Sequence, residues 1–230
     1  MSQLPPLRAF VALMLVIPCC ACAGQAKDGG KTVTKTSGLP YPPVLADGAT
    51  VATDSSPDFL KPPPNFAADI AVAKTPPSVD FAFYSGQDHE GKPWSVWGDG
   101  CAAGDKYYSA IGDHLAPRGT AQIYEYDAAA KSLRLLVDVR KFLESSGALP
   151  AEMNYTPGKV HSRIQMGGDG WIYFSTHRGT ARTTTDEFGY KGDWIFRTHP
   201  QSGKTEIVAA HPVEKHCIPA STLDPERLIF

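Results

Sequence analysis

The sequence predicts an all-β protein, a β-propeller of four-stranded antiparallel blades, present as an incomplete N-terminal fragment of two blades plus the start of a third. Two observations predict it. One phrase is written twice: "KVHSRIQMGGDGWIYFSTH" (159–177) and "KHCIPASTLDPERLIF" (215–230) run in parallel when His161 is set on His216, and Asp169 then meets Asp224. Short β-rich runs separated by turn residues also recur in one order. Four strands repeating at roughly 40 to 55 residues mark a propeller blade. A β-sandwich would supply similar strands without repeating its phrases in register.

The first blade reads as "KYYSAIG" (106–112), "AQIYEYD" (121–127) and "SLRLLVDV" (132–139), behind a short first strand near Trp97. The second reads as "WIYFSTH" (171–177), "DWIFRTH" (193–199) and "TEIVAAH" (205–211), behind a short first strand near His161. The third opens at His216 and reaches "RLIF" at the end of the sequence. The hairpin between third and fourth strands aligns without a gap, "IYEYDAAAKSLRLLV" on "IFRTHPQSGKTEIVA", with Pro200, Ser202 and Gly203 supplying turn chemistry. Arg118-Gly119-Thr120-Ala121 reappears as Arg178-Gly179-Thr180-Ala181, which predicts equivalent loops before the two third strands. Between the blades, "VRKFLESSGALPAEM" reads as a short helix or loop.

Ahead of the blades the texture differs. "RAFVALMLVIPCCACAG" sets one arginine before an apolar run and small residues, the pattern of an export signal over 1–23. The run is too short to span a bilayer, which leaves no transmembrane span. Two processing routes fit: cleavage before Gly24, or lipidation at Cys22 as in bacterial lipoproteins. Either places the chain in the periplasm, on the outer membrane as a lipoprotein, or outside the cell. Residues 24–79 are rich in Pro, Gly, Ser and Thr and read as a tether, so the partial propeller domain covers 80–230.

Of five cysteines, Cys19, Cys20 and Cys22 fall in the signal, leaving Cys101 and Cys217 in the body. An oxidising compartment permits a disulfide between them, and two reduced buried thiols fit as well. The formal charge of -2 is spread without long runs of one sign, and no nucleic-acid-binding motif occurs. Nucleophile elbow, Walker loop, CxxCH and HExxH patterns are also missing from the sequence.

First strands of blades line a propeller's channel, so His161 and His216 would aim two imidazoles at one mouth of it. That makes them candidate ligands for a divalent metal such as Mn, Ca or Zn. The alternative is a structural tie, each histidine bonding the backbone of the neighbouring blade. Cations gather nearby: Lys159 and Lys215 before the histidines, Arg163 after the first, Arg118 and Arg178 on the repeated loops. Arg118, Arg163, Arg178 and Lys215 are the candidate contacts to an anionic substrate, since guanidinium pairs bidentately with carboxylate or sulfate. His114 and His177 end the second strands without aligning residue for residue and carry less.

The run "YTPGKVHSRI...GDGWIYFSTHRG...YKGDWIFRTHP...KHCIPAS" resembles a group of exported bacterial propeller proteins of uncharacterised activity, over roughly residues 70–230. In arrangement the axial histidines are also similar to those of oligogalacturonate lyase propellers. That resemblance implies a divalent metal, an anionic sugar and a β-elimination, with His161 and His216 as the only residues carried over. The expected function is therefore an exported propeller that binds an anionic polysaccharide such as a uronate, with a divalent metal at the axial histidines; cleavage, as a metal-dependent lyase, is an option that this expectation leaves open. Its rival is a non-catalytic module that binds an envelope protein or assembles at the cell envelope. A quinone-dependent redox propeller is a third reading, for which the sequence shows no cofactor motif.

Overall fold

The structure, a computed structural model, describes residues 44–67, 69–85, 98, 100–113, 118–149 and 153–230. The expected export signal, Trp97 and His114 lie outside them. In chain order the strands are β1 (Val51–Asp54), β2 (Val79–Ala82), β3 (Cys101–Ala103), β4 (Lys106–Gly112), β5 (Ala121–Asp127) and β6 (Ser132–Asp138). After helix α1 (Val139–Ser145) come β7 (Pro157–Lys159), β8 (Gln165–Met166), β9 (Ile172–Ser175), β10 (His177–Arg178), β11 (Trp194–Thr198) and β12 (Thr205–Ala210). The fold is all-β apart from α1 and short 3-10 turns. β3-β4-β5-β6 and β8-β9-β11-β12 are antiparallel four-stranded meanders, and neither sheet closes on itself.

The two sheets repeat one another in detail. Ile123 faces Val137 and Tyr124 faces Leu135 across a bulge. Seventy-two residues on, Ile195 faces Ala209 and Phe196 faces Ile207 across a bulge at the same step. The turns correspond as well, because Lys131 (φ 51) and Gly203 (φ 69) both take the left-handed conformation that closes the hairpin. Glycine adopts it without strain, whereas lysine does so against its Cβ. In the first turn Asp127 Oδ1 compensates by accepting from the amides of Ala129 (2.9 Å) and Ala130 (2.8 Å).

Period-two alternation gives the first sheet two apolar faces. Tyr108, Ala110, Ala121, Ile123 and Val137 join Ile172, Phe174, Trp194 and Phe196 of the second sheet in one core. α1 closes that core, with Phe142 edge-on to Phe196 at 5.9 Å. Its N-cap is Asp138, whose Oδ1 accepts from Lys141 N (3.1 Å) and from Thr120 Oγ1 (2.7 Å).

The first sheet's other face, with Ile111, Tyr124 and Leu133, packs on Val51 and Tyr84. This corrects the expected tether of 24–79 over its described residues, 44–67 and 69–79. β1 pairs with β2 in an antiparallel hairpin, and Thr50 Oγ1 accepts from Leu133 N at 2.8 Å. Tyr126 and Lys131 both reach Asp80, and Thr53 Oγ1 donates to it at 2.5 Å. Composition hid this hairpin because a strand of four residues needs only one buried side chain, here Val51, to have a place.

The first strands also lie later than expected. β3 and β8 begin four residues after Trp97 and His161. The third copy is not a strand. Asp224 and Ile229 close a small loop on themselves, with Asp224 N donating to the Ile229 carbonyl at 2.8 Å. Segment 219–223 runs beside 161–165 in parallel register, held by side chains: His161 Nδ1 donates to the Pro219 carbonyl (2.9 Å), and Gln165 Oε1 accepts from Leu223 N (2.8 Å). His161 therefore makes the structural tie to the neighbouring segment.

Candidate anion-binding site

Three tight backbone contacts build the site. A Cβ on Gly112 would stand 2.2 Å from the Gly158 carbonyl oxygen, and one on Gly158 would stand 2.4 Å from both the Asp113 oxygen and Gly179 Cα. Glycine at these positions lets the end of β4, strand β7 and the Arg178-Gly179 loop touch main chain to main chain. The short β7–β10 ladder follows, with Lys159 opposite His177 and a register shift before Arg178.

Four basic side chains are thereby brought together. The rings of His161 and His177 lie 5.0 Å apart, Lys159 faces His177 across the ladder, and Arg178 is the next residue. His177 Nδ1 donates to the Arg178 carbonyl at 3.0 Å. A carbonyl oxygen can only accept, so in the neutral ring the lone pair is on Nε2. Burial pushes His177 down to about 4, against the Arg178 carbonyl bond that favours its charged form, and Lys159, His161 and Arg178 push it lower still. Burial also brings the Lys159 amine down to about 8, helped by the Arg178 charge. Burial is the larger cause of both shifts, and neighbouring positive charge adds to each.

Behind the cluster lies Asp193, wholly buried just ahead of β11. Its carboxylate accepts from Tyr155 OH and Thr176 Oγ1 at 2.9 Å each, and from Tyr190 OH at 3.2 Å. Burial nevertheless raises it to about 6, against those hydroxyl bonds and the Arg178 charge. Its backbone joins the next segment, as N donates to the His216 carbonyl (3.2 Å) and O accepts from His211 N (2.9 Å).

Of the six residues singled out in the sequence, the fold brings only His161 and Arg178 into this cluster. His216 is exposed, and its Nδ1 donates to the Glu214 carbonyl of its own turn at 2.7 Å. Lys215 pairs with Asp186 at 2.7 Å beside a cavity of about 510 Å³, where Glu214 adds a second negative charge. Arg163 is exposed and lines a groove of about 630 Å³ between β3 and β8, with Cys101, Tyr107 and Gln165. Arg118 lies 3.6 Å from Glu144 of α1. Neither cavity is lined by Lys159, His161, His177 or Arg178. The cavity at Lys215 mixes both signs of charge, whereas the four side chains of the cluster are all basic, with the Asp193 carboxylate buried behind them.

The repeated tetrapeptide does not mark equivalent loops. Arg118 stands three residues before β5, whereas Arg178 belongs to β10, which follows directly on β9. Both sit in the connection between second and third strands, at opposite ends of it. His177, discounted because it had no aligned counterpart, is the ring that meets His161. Lys159 was legible in part, since its place two residues before His161 puts both on one side of an extended segment. Nothing in the sequence singled out Asp193. Cys101 and Cys217 are both free and half-buried.

The residues around His161 do not fit the expected divalent metal. Mn and Ca take oxygen ligands, and Asp193, the carboxylate behind the cluster, is taken up by three hydroxyls; Zn would find two imidazoles with no third ligand gathered beside them among the described residues. Lys159 and Arg178 would also repel a cation from the two imidazoles. Among the described residues no three His, Cys, Asp or Glu side chains gather. Among them, too, no helix is long and apolar enough to cross a membrane.

No family model matches the chain, and no curated protein matches it. Fold and site geometry therefore carry the functional reading.

Proposed function

We propose that this chain is an exported, propeller-type protein that binds an anionic carbohydrate, a uronate, at Lys159, His161, His177 and Arg178. The observation that supports the reading is the convergence of these four basic side chains on the β7–β10 ladder. Arg178 takes the sugar carboxylate as a bidentate partner, and the two imidazoles meet its hydroxyls through Nε2. The propeller arrangement is favoured by the repeated register of the two meanders and by the parallel run of 161–165 beside 219–223. Export is favoured by the signal-like segment 1–23.

Calorimetric titration with D-galacturonate, with D-galactose as the uncharged control, tests the function. Galacturonate binding that galactose does not show, weakened at least tenfold by Arg178→Gln, is the expected result. Equal binding of both sugars, or an unchanged affinity in the variant, overturns it.

A second reading is a non-catalytic assembly module at the cell envelope, favoured by His161 and Gln165, which spend their side chains tying one segment to the next. Full thermal stability of the His161→Ala variant combined with lost galacturonate binding would decide against it.

A further inference from the structure

We propose that the uncovered face of the second sheet binds the outer face of the β1–β2 hairpin of a second copy of this chain, in a head-to-tail contact. The anion site takes no part in it. Within one chain the layers follow in order, the hairpin on the first sheet through Val51 and Tyr84, and the first sheet on the second through Ile123, Val137 and Phe196. Both faces of the first sheet are thereby covered. The second sheet repeats its register seventy-two residues on, so Ile195, Val208 and Ala209 stand where Ile123, Leu136 and Val137 stand. Ile123 is 0% exposed and Leu136 packs on the shared core, whereas Val208 is 47% exposed, Ile195 is half-buried, and neither they nor Ala209 join that core. Segment 219–229 lies against the inner strands of this face, with Ser221 Oγ 3.3 Å from Ser175 Oγ. The outer strands β11 and β12 stay open.

The first sheet shows what such a face takes, which is another antiparallel sheet laid over it. In a second copy the β1–β2 hairpin offers that surface. Strand alternation turns Val51 toward the first sheet and turns Ala52, with its register partner Phe81, away from it. Phe81 is 43% exposed, and Phe59 extends its apolar surface, with ring centroids 6.5 Å apart. Among the described residues every exposed large apolar side chain lies in 44–81 or in 208–229, and the layers between show none. Apolar surface gathered in this way marks an interaction site. The charges favour unlike faces over like ones. Residues 44–82 carry five Asp against two Lys, whereas 194–217 carry Arg197, Lys204 and Lys215 against Glu206 and Glu214. Two different faces meet, so each contact leaves one of each kind free for a further copy.

Sedimentation velocity of the full chain over a micromolar concentration series, with Phe81→Asp and Val208→Asp as variants, tests the contact. The unaltered chain is expected to grow beyond a dimer as concentration rises, and each variant alone is expected to associate at least tenfold more weakly. An equimolar mixture of the two variants is expected to form dimers and nothing larger, because Phe81→Asp keeps an intact sheet face and Val208→Asp an intact hairpin. Both positions are exposed, so the fold tolerates either charge, and Phe59→Asp is expected to repeat the effect of Phe81→Asp. An unaltered chain that stays monomeric throughout the series overturns the proposal. Association weakened by only one of the two variants means that two like faces meet, which also overturns it, as does a mixture that fails to pair.

Discussion

Arg134 pairs with Glu125 across β5 and β6 at 2.8 Å, and the equivalent position of the second sheet holds the same pair with its charges exchanged, Arg197 donating to Glu206 at 2.8 and 2.6 Å. Register and bulge are identical in the two hairpins, so the repeat conserves the cross-strand pair while reversing its direction. Exchange of Glu125 and Arg134 should therefore be tolerated. Glu125→Arg alone is expected to cost about 1–2 kcal/mol, and Glu125→Arg with Arg134→Glu to recover about 1 kcal/mol of it in a denaturant double-mutant cycle. Arg197→Glu should cost more, since Arg197 also lies 4.4 Å above the Trp171 ring and 3.6 Å from Asp169.

Gly158→Ala tests the close approach that builds the site. Its methyl group would meet main-chain atoms at 2.4 Å on two sides, neither of which has a flexible end that can move away. A loss of about 3 kcal/mol or more is expected in chemical denaturation, with galacturonate binding lost at temperatures where the variant is still folded. Gly170→Ala, at a position with nothing within 4 Å but with φ 80, should cost only about 1 kcal/mol.

Asp193 makes stability depend on pH. Its folded value lies above the ordinary 3.8, at about 6, so the fold favours the protonated acid. The contribution is fully present below the ordinary value and is lost as pH rises through about 6. Against Asp193→Asn, which does not titrate, the unaltered chain is expected to lose about 2 kcal/mol between pH 4 and pH 7. Urea midpoints measured at both pH values check the sign, and a difference that grows in the unaltered chain's favour contradicts it.

Gln165→Ala should loosen segment 219–223 without disturbing the first sheet. The Gln165 amide accepts from Leu223 N and donates to the Leu223 carbonyl, and Leu223 is buried. Removing it strands a backbone amide at a cost of about 1–2 kcal/mol. Amide exchange at Leu223 should accelerate at least tenfold, while Ile123 and Tyr124 in β5 should keep their protection.

What the sequence determined by itself is local. Strands β4 and β5 coincide with the runs read at 106–112 and 121–127, and β6, β9, β11 and β12 differ from expectation only at their ends. Alternation of buried and exposed side chains, and the turn residues around Asp127 and Gly203, act over a few residues and are written in their order. The ungapped hairpin alignment was legible for the same reason and returned as identical register.

Tertiary structure alone decided which side chains meet. His161 and His216 align in sequence, yet His161 faces His177, because the β7–β10 ladder brings residues 159 and 177 opposite each other while His216 follows a separate turn. Arg118 and Arg178 share a tetrapeptide but not a position, since the connection after β9 runs through two 3-10 turns before β11. The β1–β2 hairpin and the buried Asp193 carry no local signal of their place. Each exists because a distant segment supplies its partners: Leu133 for Thr50, Tyr155 for Asp193. Contacts of that kind depend on how whole sheets stack, and stacking is set by the summed burial of both faces rather than by any short run of residues.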